Sequence, residues 1–528
     1  MSAAGYDLNT VSFREPTPKR HVAQIPLYVT VPEILTSRSL GFHNRPIGFT
    51  DAVKASVYSS FDSVAIDPDS RKSDNYWGGI FNFEFSHNGK LLVAACEGKQ
   101  VLIYDAGNQK KIETIETAHL NCVNCIKFLD ERTFATGSDD ALIKLWDIRK
   151  LDKCMKTLHG HSSWVKNIEW SEEEHVMVTS AFDGTVYAWN LNDRTENNML
   201  FEKVFLLSGL MRMKLTPDGK KMLITTTAGF MIIIHNLNLL TLALDLRSFR
   251  PNLYRLMQTS EQCFPVATTY NYLFDPKRTR NRIEFIDDFP NESEVISSLQ
   301  IHPHGWAAVS RNLNSEENEE WTAVHDIQDR DAKDYEDSFM YTEDCVDEYT
   351  FDTPSNDESA DRVHQRPTDL WLGYTLLEDY NALETTAGTT RQEMGIVSSG
   401  LIGSSAPYNA YFQNHPDERN KVILNLKRMT HYIKEKNVGK GFIKEVAISP
   451  DGRVICSPYD RGIRLLAFNQ SCQEMSECVL DEPKELHPIV EMNDYHRDVV
   501  VSCKFNPMHY QLVSGCLGSQ INWYQPVL

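Results

Sequence analysis

The run Phe134-Ala-Thr-Gly-Ser-Asp-Asp-Ala-Leu-Ile-Lys-Leu-Trp146-Asp147-Ile148-Arg149 decides the fold of this 528-residue chain. It reads as a strand of small residues, a turn with two acids, and an alternating strand that ends on a Trp-Asp pair. The pair returns as Tyr104-Asp105 and Trp189-Asn190, at steps of 42 and 43 residues. Each unit opens on a further strand, such as Phe81 to Phe85 or Val123 to Phe128. Apolar residues alternate before each pair (Val101 and Ile103, Ile143 and Leu145, Val186 and Ala188), as strands packed between two neighbours require. A period of roughly 40–45 residues with four strands per unit is that of the WD repeat, whose units close radially into a β-propeller.

Weaker copies follow. Leu215-Thr-Pro-Asp-Gly219, Ile301-His-Pro-His-Gly305 and Ile448-Ser-Pro-Asp-Gly452 mark the first hairpins of blades four, five and six, and Phe505-Asn-Pro marks blade seven. In each Pro-x-Gly turn proline presets φ and glycine accepts positive φ. The repeats span about 204–238, 294–328, 441–469 and 496–528. The expected fold is all-β, a seven-bladed WD-repeat propeller over residues 65–528. An outer strand from about 65–76 is expected to complete the last blade.

Three regions fall outside the repeats. Residues 1–29 read as a flexible N-terminus, and 30–64 as a helix-loop-helix. Thr30-x-x-Glu33 with Pro32 starts the first helix and Gly41 stops it. Thr50 caps the second, where Val53, Val57 and Phe61 recur at four-residue spacing. Residues 239–293 form an insertion with a basic run, Lys277 to Arg282, which reads as a solvated loop. Residues 329–425 are too long for an ordinary loop. Their stretch 331–361 holds twelve acidic residues against one lysine, and this composition predicts disorder.

The net charge of −20 argues against direct nucleic-acid or anionic-membrane binding, which need a basic surface. No secretory leader pattern and no run of about 18 apolar residues occurs. Eleven scattered cysteines, an odd number, suit a reduced protein of nucleus or cytoplasm.

His119, Ser138 (or Thr136), Asp140 and Trp146 resemble a catalytic triad, and His161, Thr179, Asp183 and Trp189 repeat the set in blade three. Two copies at the repeat period point to architecture, a buried hydrogen-bond network that fixes each blade. Cys122-x-x-Cys125 has no second pair at zinc spacing, and on a strand its sulfurs face opposite ways. The segment Gly400 to Ser405 lacks the Lys-Ser/Thr of a phosphate loop. No metal set, cofactor motif or nucleophile–base pair is found, so the reading is non-enzymatic.

The run from Phe134 to Arg149 also resembles the box of WD-repeat substrate receptors of cullin-4 RING ubiquitin ligases. It has small residues at 135–138, acids at 140 and 147, an aromatic at 146 and a base at 149. The resemblance extends over all seven blades, through stretches such as Gly78 to Asn82, Leu158 to Ile168 and Leu210 to Pro217. It implies docking on the damaged-DNA-binding-protein adaptor, with cullin-4 and the RING subunit reached indirectly and unknown protein substrates held on another face. The implied adaptor contacts are Asp147 and Arg149 together with Ile34, Leu35, Val53, Val57 and Phe61 of the helix-loop-helix. Asp147 can fix the Arg149 guanidinium so that its remaining donors reach a partner. The other reading of the same chain is a WD-repeat scaffold in an unrelated chromatin or trafficking assembly.

Overall fold

The computed structural model describes residues 39, 49–67, 77–191, 201–260, 264–290, 293–314, 318–330, 335, 339–341, 421–439, 441–478 and 482–527. Of the first expected helix only Ser39 is among them; Ile34 and Leu35 lie outside, as do the N-terminal 29 residues and most of 329–425.

Seven sheets, each built on four antiparallel strands, follow one another along the chain, and the fifth adds Lys484–Glu485 parallel to Met429–Glu435. They span 80–115, 123–158, 165–206, 210–286, 295–435 and 447–492, and the seventh joins 500–526 to a strand from the N-terminal side. The propeller is seven-bladed. Strands are buried on both sides because each blade packs on two neighbours; Met222–Thr226 is buried at every position. The core between blades one and seven joins Ile80, Phe83 and Leu92 to Val513, Ile521 and Trp523.

Each blade runs in order from the central channel outward. In such a meander the first-to-second and third-to-fourth connections fall on one face of the ring, here the lower face. The second-to-third turns and the links between blades fall on the upper face.

The last blade is completed by β1 (Phe61–Ile66), antiparallel to Ile521–Pro526, with Phe61 opposite Pro526 and Ile66 opposite Asn522. The closing strand therefore lies earlier than the expected 65–76. Phe61 is a strand residue, buried in the core of blades six and seven, and stacks on Tyr58 at 5.8 Å. Directly before β1 runs α1 (Phe49–Ser59).

Both insertions sit inside a blade, between its third and fourth strands. Blade four ends on Arg282–Ile286 and blade five on Met429–Glu435, well beyond the expected ends at 238 and 328. The first insertion is helical, with α2 (Leu239–Asp245) and α3 (Pro251–Ser260) followed by two short helical turns. Asn238 caps α2 by accepting the Thr241 N–H at 3.0 Å. The basic run is not a free solvated loop: Arg278 and Arg280 pair with Asp245, and Arg282 is buried beside Glu284. The two ends of the second insertion meet as an antiparallel pair, Phe339–Tyr341 with Lys421–Ile423. Val422 and Ile423 share a core with Tyr254, Met257 and Phe274 of the first insertion.

Candidate functional site

In blade two the buried network is a relay. The Trp146 indole N–H donates to Thr136 Oγ1 at 3.0 Å, and that hydroxyl lies 2.7 Å from His119 Nε2. His119 Nδ1 lies 3.0 Å from Asp140 Oδ2. One proton arrangement satisfies every atom, with Thr136 donating to Nε2 and Nδ1–H donating to the carboxylate. Burial lowers the His119 pKa and keeps the ring neutral. Burial also opposes the charge on Asp140, but the His119 bond and the Leu120 and Leu142 N–H groups outweigh it and bring the carboxyl down to about 2. Ser138 is not the hydroxyl of this set. Residues 136 and 138 share a strand face, but Trp146 pairs opposite Phe134 and reaches Thr136, while Ser138 donates to the Asn121 carbonyl at 3.3 Å.

Blade three repeats the relay with an added member. Trp189 Nε1 donates to Thr179 Oγ1 at 2.8 Å, and His161 Nε2 lies 2.8 Å from the same hydroxyl. His161 Nδ1 meets Thr185 Oγ1 at 3.1 Å, and Thr185 donates to Asp183 at 2.6 Å. Thr185 was not among the expected members, since nothing in the repeat spacing marks it. These histidines and threonines are buried, so the relays tie each blade's third strand to the incoming loop.

The central channel carries a pattern the sequence reading missed. One equivalent position of the first strands holds Glu84, Lys127, Glu169, Lys214 and, in blade seven, Lys504. Lys504 pairs with Glu84 at 2.7 Å, Lys127 with Glu169 at 3.3 Å, and Lys214 with Glu169 at 2.8 Å. Burial opposes the charge on Glu84 and Glu169, yet the lysines hold both carboxyls below their ordinary range. The signal was available as alternating sign one residue before Phe85, Phe128, Trp170 and Leu215.

The Arg149 side chain is 62% exposed on the lower face. Asp147 Oδ1 accepts its backbone N–H at 2.9 Å and its Nε at 3.5 Å. That backbone bond, then the guanidinium, keep the Asp147 carboxyl below its usual range. The same turn recurs where Asp105 accepts the Gly107 N–H and Asp326 the Gln328 N–H. The turn is thus part of the blade and the arginine is the addition. Among the described residues no bond to its terminal nitrogens occurs.

Helix α1 lies on the same lower face. Its Tyr58 and Lys54 bond to Asp451 in the first hairpin turn of blade six, and Lys54 also meets Tyr510 in that of blade seven. Blade one alone separates this sector from Arg149. Val53 is 40% exposed and Val57 is half-buried against the blade core. Phe61, expected at the end of the helix's apolar stripe, is closed to any partner by its place in β1. The upper face carries an exposed aromatic pair, Trp164 and Phe182, with ring centroids 5.5 Å apart.

The WD domain, G-beta repeat family matches residues 109–147 and 152–190. The chain is 35% identical over 464 residues to the DDB1- and CUL4-associated factor 10 of Danio rerio, covering 85% of this chain and 74% of the relative. The Xenopus laevis protein of that name is 34% identical, with 89% of each chain covered. The Homo sapiens protein is 34% identical, over 85% of this chain and 70% of the relative. On these matches and on its seven-bladed fold, the chain belongs to the DDB1- and CUL4-associated factor 10 family.

Proposed function

We propose that this protein is a non-enzymatic substrate receptor of a cullin-4 RING ubiquitin ligase. It docks by its lower face on the ligase's propeller adaptor and offers its upper face to protein substrates, in the nucleus or cytoplasm. The observation that carries the reading is the exposed Arg149 guanidinium, oriented by Asp147 and sharing its face with α1. Its terminal nitrogens are open to a partner's carboxylate or carbonyl. The family's name, which couples DDB1 and CUL4, supports the same partners. The exposed Trp164 and Phe182 leave a second contact surface on the opposite face.

The test is recovery of the adaptor and cullin-4 with tagged full-length protein. The expected result is stoichiometric recovery, reduced at least tenfold by Arg149→Ala. Failure of the intact protein to recover either partner overturns the reading. Recovery unaffected by Arg149→Ala overturns the assignment of Arg149.

A further inference from the structure

We propose that Asp451 and Arg453, in the first hairpin of blade six, are positioning residues that hold α1 folded on the lower face before a partner binds. The inference rests on the reading of that face as the adaptor's docking surface.

The helix meets the propeller through Asp51, Lys54, Ala55 and Tyr58, spaced i, i+3, i+4 and i+7 on one stripe, with Val57 packed beside them. The stripe is mixed, with the Tyr58 ring and Ala55 packed on the blade core and polar bonds around them. Asp451 accepts the Tyr58 hydroxyl at 2.6 Å, the Lys54 ammonium at 2.8 Å and the Ser449 hydroxyl at 2.8 Å. Arg453 donates to Asp51 at 2.6 Å, to the Cys472 carbonyl at 2.8 Å and to Glu474 at 2.9 Å. Its side chain is only 8% exposed, held between Asp51 of the helix and the Cys472 and Glu474 partners within blade six.

The equivalent hairpin of blade four shows what the turn itself needs. There Asp218 accepts the Thr216 hydroxyl at 2.6 Å and the Lys220 N–H at 3.1 Å, and Lys220, which stands where blade six has Arg453, is exposed. The bonds of Asp451 to Lys54 and Tyr58 and the bond of Arg453 to Asp51 exceed that need and reach α1, while the other two bonds of Arg453 stay within blade six. An eleven-residue helix with Thr50, Val53 and Val57 in it is marginal in water by itself. Helix order therefore comes from this hairpin, from the packing of Ala55, Val57 and Tyr58 on the blade core, and from β1, which Ser60 alone separates from α1. A partner that recognises α1 then meets a formed helix and does not have to fold it, which raises the competent fraction and the apparent affinity.

The test removes the bonds from the helix side, leaving the blade six hairpin intact, in full-length protein carrying Asp51→Ala, Lys54→Met and Tyr58→Phe. Amide hydrogen exchange over residues 49–59 is measured in the free protein, and the Kd for the purified adaptor by titration. The expected result is slow exchange in the parent chain, loss of that protection in the variant with residues 454–467 still protected, and a Kd weakened about tenfold. A charge exchange, Lys54→Asp with Asp451→Lys, is expected to recover part of both. Fast exchange over 49–59 in the parent chain overturns the proposal, and so does an unchanged Kd in a variant whose helix has lost protection. If the parent chain does not bind the adaptor, the docking reading fails, and with it the positioning role, while the exchange data still report whether blade six orders α1.

Discussion

Thr136 Oγ1 stands 3.0 Å from Trp146 Nε1, the one hydroxyl through which the indole of blade two is satisfied. It also serves His119, so a single oxygen is donor to one ring and acceptor from another. Thr136→Val keeps the shape and leaves two buried polar atoms without partners, at about 1–3 kcal/mol each. We expect a loss of about 2–4 kcal/mol in urea unfolding. Ser138→Ala removes weaker bonds at 3.2 and 3.3 Å and is expected to cost less than about 1 kcal/mol. The reverse ranking would show that the relay runs through Ser138.

Ring closure gives a second expectation. Phe61 fills the core between α1 and the last blade, and β1 covers the edge of Ile521–Pro526. Phe61→Ala is expected to cost about 3–5 kcal/mol. Deleting residues 1–66 exposes the Ile521–Pro526 edge and is expected to yield higher oligomers by light scattering, because an unpaired strand edge templates association. A monodisperse monomer from that deletion would show that β1 is dispensable.

The repeat was legible where its spacing survives. Blades two and three announce themselves through Trp146 and Trp189, and the turns ending in Gly219, Gly305 and Gly452 locate three more. The fourth strands of blades four and five were hidden because each insertion displaces the strand from its third-strand partner. Phe61 misled for a geometric reason. The four-residue spacing from Val53 through Val57 continues into it, but the chain turns at Ser60 and Phe61 is already extended. Asp51, Lys54 and Tyr58 hold α1 by polar bonds that an apolar-periodicity argument could not find. Thr136 and Ser138 lie on the same strand face, and only the cross-strand register decides which one meets the indole. Arg149 stood out in sequence because the matching residue of blade one is Gly107, and its exposure agrees with that distinction.

The two insertions are tied at their base by Arg428, which donates to Glu284 at 2.9 Å and to the Gln328 carbonyl at 2.9 Å. Burial works against the Glu284 charge, but the His235 bond and the Arg428 guanidinium hold the carboxyl far below its ordinary range. Removing one member of such a buried pair strands the other, at about 3–5 kcal/mol. Arg428→Met is therefore expected to loosen the start of the Met429–Glu435 strand. Tryptic cleavage after Lys427, followed by mass spectrometry, should accelerate at least tenfold. An unchanged cleavage rate would mean that the Val422 and Ile423 packing alone fixes this strand.

Buried histidines set the acid limit of the fold. Burial pushes His161 and His431 down to about 4 and His496 down to about 3, against an ordinary value of about 6.5. Below about pH 6.5 the unfolded chain takes up protons that the folded chain refuses, so it binds more protons and stability falls as pH falls. The loss runs from about pH 6.5 down to the folded values and then levels for each ring. Asp140, lowered to about 2, contributes in a separate window. Its contribution is complete above about pH 4 and disappears as pH drops toward 2. The unfolding free energy is thus expected to decline steadily from pH 6.5 to 4.5. His431 packs on Phe468 at 5.2 Å, so His431→Phe keeps an aromatic ring there while removing one titrating site. Near pH 5 that variant should show a slope shallower by about 1.4 kcal/mol per pH unit, the value of one proton. A slope equal to the parent's would mean that His431 titrates alike in folded and unfolded chains, and that its burial leaves no mark on stability.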